Sequence, residues 1–120
     1  MLSAARYRAA VPVFAALGDE QRLALVRRLC AGGPASLTRL AEGAAITRQG
    51  VSKHLRVLEG AGLVKSTRRG RESVWELEPA RMLSAQRALD EISREWDAAL
   101  ARLRAFVELD GRGITTSPRQ

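Results

Sequence analysis

"TRQGVSKHLRVLEGAGLV", residues 47–64, reads as one capped helix with two unlike faces. At about 100° per residue from Val51, the side chains of Val51, Leu55 and Leu58 share one face, while Gln49, Lys53 and Arg56 gather near the opposite pole. One face is core; the other is polar and basic. Thr47 supplies a hydroxyl to cap the first turn. Arg48 and Ser52 lie on the flank near the N-terminal end, the end that reaches base edges when a recognition helix enters a major groove. Gly60-Ala61-Gly62 stops the helix; a dinucleotide fingerprint would need a preceding strand and further glycines.

Upstream, Ser36 offers an N-cap for the short segment "LTRLAEG", which Gly43 ends, and Ala44, Ala45 and Ile46 form a tight apolar connection. Two short helices joined by such a turn make a helix-turn-helix. Before it, Asp19 predicts the N-cap of a helix with Leu25, Val26, Leu29 and Cys30 on its buried face, halted at Gly32-Gly33-Pro34. The spacing of Val11, Phe14, Ala15 and Leu17 predicts a short helix ahead of that.

Downstream the period changes. "LVKSTRRGRESVWELE" has β-type alternation around a glycine turn, a hairpin with Arg68, Arg69 and Arg71 crowded at its tip around Gly70. Such a tip serves phosphate or minor-groove contact, or simply guards an edge strand against aggregation. Pro79 then opens a helix to about Leu109, some 45 Å at ~1.5 Å per residue. Met82, Ala85, Leu89, Ile92, Trp96, Ala99, Leu103 and Phe106 step along it by threes and fours, with Leu100 and Val107 widening the stripe. So small a domain cannot easily cover that stripe alone, which predicts a homodimer seamed by Leu89, Ile92, Trp96, Leu103 and Phe106. The expected organisation is a DNA-binding unit over 1–78, a dimerisation helix packed with it over 79–109, and a disordered tail over 110–120.

The chain has 120 residues and a net charge of +7, unevenly placed. Residues 47–71 hold seven Lys/Arg (Arg48, Lys53, Arg56, Lys65, Arg68, Arg69, Arg71) against one acid, Glu59. A concentrated basic patch points to a polyanion, here double-stranded DNA, because a merely solvated surface mixes both signs. The single cysteine, Cys30, excludes an intrachain disulfide or a thiolate cluster within one protomer and fits a reducing cytoplasm. Arg6 and Arg8 precede an apolar run from Ala9 to Leu17, but Pro12 interrupts it and no cleavage site follows, so no signal peptide is expected. Nor does any apolar stretch reach the ~18 residues of a membrane span. No nucleophile–base pair or phosphate loop argues for an enzyme.

Taken in order, "FAALGDEQRLALVRRL", "VSKHLRVLEGAGLV" and "STRRGRESVWEL" resemble the opening helices, recognition helix and wing of the arsenical-repressor-like (ArsR/SmtB) regulators, over about residues 11–78. The resemblance implies a mainly α winged helix-turn-helix with a small β-hairpin and a long C-terminal helix. It also implies a homodimeric repressor on an inverted repeat near its own promoter, released by a signal. By position, Thr47, Arg48, Gln49, Ser52, Lys53, His54 and Arg56 match the recognition helix, and Arg68, Arg69 and Arg71 the wing.

Departures bear on the signal. "SLTRLAEG" lacks the Cys pair of metal-sensing relatives, and the last helix offers Asp90, Glu91, Glu95 and Asp97 without an imidazole, so no metal site and no cofactor are expected. The inducer stays unnamed. Cys30 is expected to face the core and be inert. His54, the only histidine, sits about 60° from the centre of the apolar face, which predicts a ring at the core edge with a nitrogen open to a backbone or phosphate contact. Gly50 is unusual in a first helical turn, where glycine costs up to about 1 kcal/mol; close phosphate approach or drift accounts for it. Two other functions share these features, a sequence-tolerant architectural DNA-binding protein and a winged-helix protein-interaction module.

Overall fold

The computed structural model describes residues 4–114, with side chains to residue 109. Five helices and three strands follow in the order α1 (Ala4–Leu17), α2 (Glu20–Gly32), β1 (Ala35–Ser36), α3 (Leu37–Glu42), α4 (Arg48–Gly60), β2 (Val64–Arg69), β3 (Glu72–Leu77) and α5 (Pro79–Ile114).

Three caps confirm how the helices start. Asp19 accepts from the backbone N–H groups of Gln21 and Arg22, Ser36 from Arg39 and Thr47 from Gly50, each side chain satisfying donors that a first turn leaves open. At the other end of α4, Leu63 N–H donates to Leu58 O at 3.0 Å and Gly62 N–H to Glu59 O at 2.9 Å. That pairing requires a left-handed residue, supplied by Gly62 at φ 79°.

The core gathers Leu25, Val26 and Leu29 of α2, Leu40 of α3, Val51, Leu55 and Leu58 of α4, and Trp75 of β3. All three α4 residues are fully buried, so the helix that carries the basic face is anchored by its opposite side. β1 is a strand that periodicity did not reveal, because two residues carry no period. Ala35 and Ser36 pair with Trp75 and Val74, extending the hairpin to a three-stranded antiparallel sheet of order β1-β3-β2.

Four expectations change. The first helix begins at Ala4 and runs through Pro12, and it buries Ala10, Val13 and Ala16 while Val11 and Ala15 are exposed. The reason is its partner: α1 packs along α5, where the buried positions are Ala85, Ala88 and Glu91. Small residues let the two backbones close, and Arg6 of α1 pairs with Glu91. Cys30 is exposed rather than core-facing, because Leu25, Val26 and Leu29 take the buried arc of α2. Finally, α5 extends past Leu109 to Ile114, so 110–114 are helical; the rest of the predicted disordered tail, 115–120, lies outside the described residues.

The stripe on α5 divides. Ala85 is buried, but every residue from 92 to 109 is exposed in the single chain, including Trp96 at 65%, Leu103 at 57% and Phe106 at 65%. The helix leaves the body of the molecule, whose extents are 73 × 32 × 20 Å.

Candidate nucleic-acid interface

The polar face of α4 is open. Thr47, Gln49, Gly50, Ser52, Lys53 and Arg56 line one shallow concave surface, so the structure brings together five of the seven residues expected on the recognition helix, with Gly50 at their centre. Gly50 has a local steric cause. A Cβ there would stand 3.3 Å from Ile46 Cδ1 and 3.3 Å from Thr47 Oγ1, the atom that accepts Gly50 N–H at 3.0 Å. Glycine thus leaves room for both the cap and the apolar turn before it.

The other two expected residues are held differently. Arg48 is exposed on the flank, and its Nη1 donates to Thr38 Oγ1 of α3 at 3.0 Å, a contact between the two helices of the motif that spacing did not disclose. His54 has turned toward α2. Its Nδ1 stands 3.3 Å from Arg22 Nη1 and 4.0 Å from Asp19 Oδ1, so one of the two ring nitrogens is engaged by Arg22. Asp19 is fixed in turn by two backbone bonds, 2.9 Å from Gln21 N–H and 3.1 Å from Arg22 N–H. The bond from Arg22 N–H is the main reason that its carboxyl stays below the ordinary aspartate pKa; the nearby Arg22 guanidinium lowers it further.

Next to α4 stands the hairpin, β2 paired with β3 from Val64↔Leu77 to Arg69↔Glu72. Ser66 Oγ donates to Glu59 Oε2 at 3.2 Å, tying β2 to the end of α4. Arg68, Arg69 and Arg71 are all exposed at the tip, and Arg68 Nε folds back to Gly70 O at 3.3 Å. Lys65 differs from them: Glu76 and Glu78 lie 4.0 and 3.8 Å from its Nζ and offset its charge. Among the described residues, no carboxylate pairs with Lys53, Arg56, Arg68, Arg69 or Arg71. One group of uncompensated cations therefore lies in the concave helix face and a second on the hairpin tip, an arrangement suited to a polyanion such as the DNA backbone.

Among the described residues no three of His, Cys, Asp and Glu come together as metal donors, and no helix is long and apolar enough to cross a membrane.

Known proteins share this fold. A helix-turn-helix domain family matches residues 17–67. The HTH-type transcriptional regulator Rv2034 of Mycobacterium tuberculosis is 34% identical over 105 residues, 88% of this chain and 94% of that protein. Among solved structures, an ArsR-like transcriptional regulator from Rhodococcus sp. RHA1 is 36% identical and superposes with a TM-score of 0.68 over 83% of this chain and 93% of its own. The homodimeric winged helix-turn-helix DNA-binding domain Mb0332 from Mycobacterium bovis shares the fold at 23% identity and a TM-score of 0.60, over 77% of this chain and 83% of that one. Fold and sequence agree over more than four-fifths of the chain, and they agree on a regulator rather than an enzyme: the chain belongs to the ArsR family of winged helix-turn-helix transcriptional regulators.

Proposed function

We propose that the protein is a cytoplasmic homodimeric repressor that binds an inverted-repeat operator near its own promoter and is released by a signal. The observation that carries the reading is the pairing of an open basic face on α4 with an uncovered apolar seam on α5. Leu89, Ile92, Trp96, Leu103 and Phe106 are between 36% and 65% exposed, so each would gain about half of the roughly 1.5–3 kcal/mol of full burial, and a second copy of the same helix is a self-complementary cover. The domain unit over 1–78 then reads DNA while 79–109 joins the protomers.

A two-fold dimer places two α4 helices in successive major grooves about 34 Å apart, with Gln49, Ser52, Lys53 and Arg56 toward base edges. Thr47 and Arg48 at the helix start, and Arg68, Arg69 and Arg71 on the wing, hold phosphates. His54 contributes by supporting the helix. A dimer seated over a promoter obstructs polymerase sterically, which needs no cofactor.

Footprinting on the DNA upstream of the gene, with transcription in vitro from the same fragment, tests this. Two protected half-sites about ten base pairs apart and reduced transcript are expected. Protection without a change in transcript would contradict repression, and uniform weak protection along the fragment would point to sequence-tolerant binding.

A further inference from the structure

Arg22 reaches three elements from one side chain. Its Nε–H donates to Ala16 O near the end of α1 at 2.6 Å, its Nη1 stands 3.3 Å from His54 Nδ1 on α4, and the same Nη1 lies 4.0 Å from Oδ2 of Asp19, the N-cap of α2. The group is mostly enclosed, with side-chain exposures of 19% for Arg22 and 24% for His54. A guanidinium donates and cannot accept, so the close contact makes Nδ1 the acceptor and puts the ring proton on Nε2.

The apolar anchors of α4 set its rotation only through packing, to which a hydrogen bond adds a directional constraint. Val51, Leu55 and Leu58 hold the helix against the core, but burial of apolar surface is non-directional. A hydrogen bond from a rigid planar fork is directional. We propose that Arg22 and His54 are positioning residues for DNA recognition: they set the rotation of α4 relative to α1 and α2, and so where Gln49, Ser52, Lys53 and Arg56 meet base edges. Because α1 packs along α5, the same fork ties the recognition helix to the helix that carries the seam. The inference rests on the site-specific binding proposed above. It separates two kinds of binding: base readout needs the neutral acceptor at position 54, whereas general phosphate attraction does not.

The test uses the full chain and a duplex that the wild type selects from a random pool, with a shuffled duplex as reference. Three variants divide the contributions: His54→Phe keeps a ring without an acceptor, His54→Asn restores a neutral acceptor near the position of Nδ1, and Arg22→Lys keeps the charge without the fork. His54→Phe and Arg22→Lys are each expected to lower the ratio of specific to non-specific affinity by about tenfold, with affinity for the shuffled duplex changed by less than about twofold. His54→Asn should recover most of that loss. Imidazole ¹⁵N NMR of the free wild type, above the ordinary histidine pKa range, should show the Nε2–H tautomer, shifting toward a mixture in Arg22→Lys.

Equal ratios for wild type and His54→Phe would overturn the proposal, as would His54→Asn behaving like His54→Phe or a wild-type ring protonated on Nδ1. The tautomer measurement bears on the contact even where a variant does not fold. If the pool yields no preferred duplex, site-specific binding itself fails and this inference with it; a preferred duplex to which all variants are indifferent defeats this inference alone.

Discussion

Arg28 on α2 holds the end of α3: its Nη1 donates to the carbonyl oxygen of Leu40 at 2.6 Å, and its Nη2 to that of Arg39 at 3.0 Å. Any helix leaves its last four carbonyls without partners of its own, and in the six-residue α3 an outside donor satisfies two of them. The turn that launches α4 begins where Arg28 binds.

Replacing Arg28 with Met keeps much of the stem and removes both donors. Hydrogen bonds from a charged group contribute roughly 1.5–3 kcal/mol, discounted here because one of the two is solvent-exposed. Urea unfolding should show a loss of about 1–2 kcal/mol with an unchanged m-value. No loss would mean that water replaces the guanidinium at no cost.

Asp19 makes stability depend on acid. Its carboxyl is held below the ordinary value of 3.8, first by the bond from Arg22 N–H. A pKa depressed on folding means that the unfolded chain binds the proton more readily, so this contribution is present above pH 3.8 and is lost as pH falls through the lower folded value. Asp19→Ala should therefore lower Tm near neutral pH, and the gap to wild type should narrow below pH 3.8. A gap that stays constant into strong acid would show that the cap acts without its charge.

The two basic groups should separate in salt dependence. Four phosphate contacts per protomer imply a slope of log K against log salt near −7 for the dimer. Arg69→Ala, on the wing, should reduce its magnitude by about 1.8, one contact in each protomer, and weaken all sequences alike. Gln49→Ala should leave the slope unchanged and cost about 1–3 kcal/mol on the preferred site only. Binding titrations from low to moderate salt distinguish the two patterns.

Charge on the seam should separate the protomers. Trp96 and Leu103 are 65% and 57% exposed in the single chain, so Trp96→Glu or Leu103→Glu should leave the fold intact while placing like charges opposite one another. Sedimentation equilibrium should then find a monomer with wild-type helical content. A variant that remains dimeric would place the interface elsewhere on the chain.

Much of this molecule was legible from residue spacing because its signals are local. Caps at Asp19, Ser36 and Thr47, the stop at Gly62 and the hairpin around Gly70 all depend on a few neighbouring residues. The concave face on α4 followed from a single helical period. What spacing did not reveal depends on contacts between distant segments. Cys30 falls on the apolar face by pattern alone, and the packing of α2 leaves it exposed. α1 buries Ala10, Val13 and Ala16 because small residues suit the close approach of α5. His54 was readable as a core-edge residue, but its engagement with Arg22, 32 positions away, required the fold.

Sequence-specific DNA binding through α4 is measured by fluorescence anisotropy. Labelled upstream DNA and a shuffled duplex would be titrated across a salt series with the wild type and Arg56→Ala. The expected result is a preference of about a thousandfold or more for the upstream site, diminished by Arg56→Ala. Equal affinity for both duplexes, or a preference that Arg56→Ala leaves untouched, would contradict it.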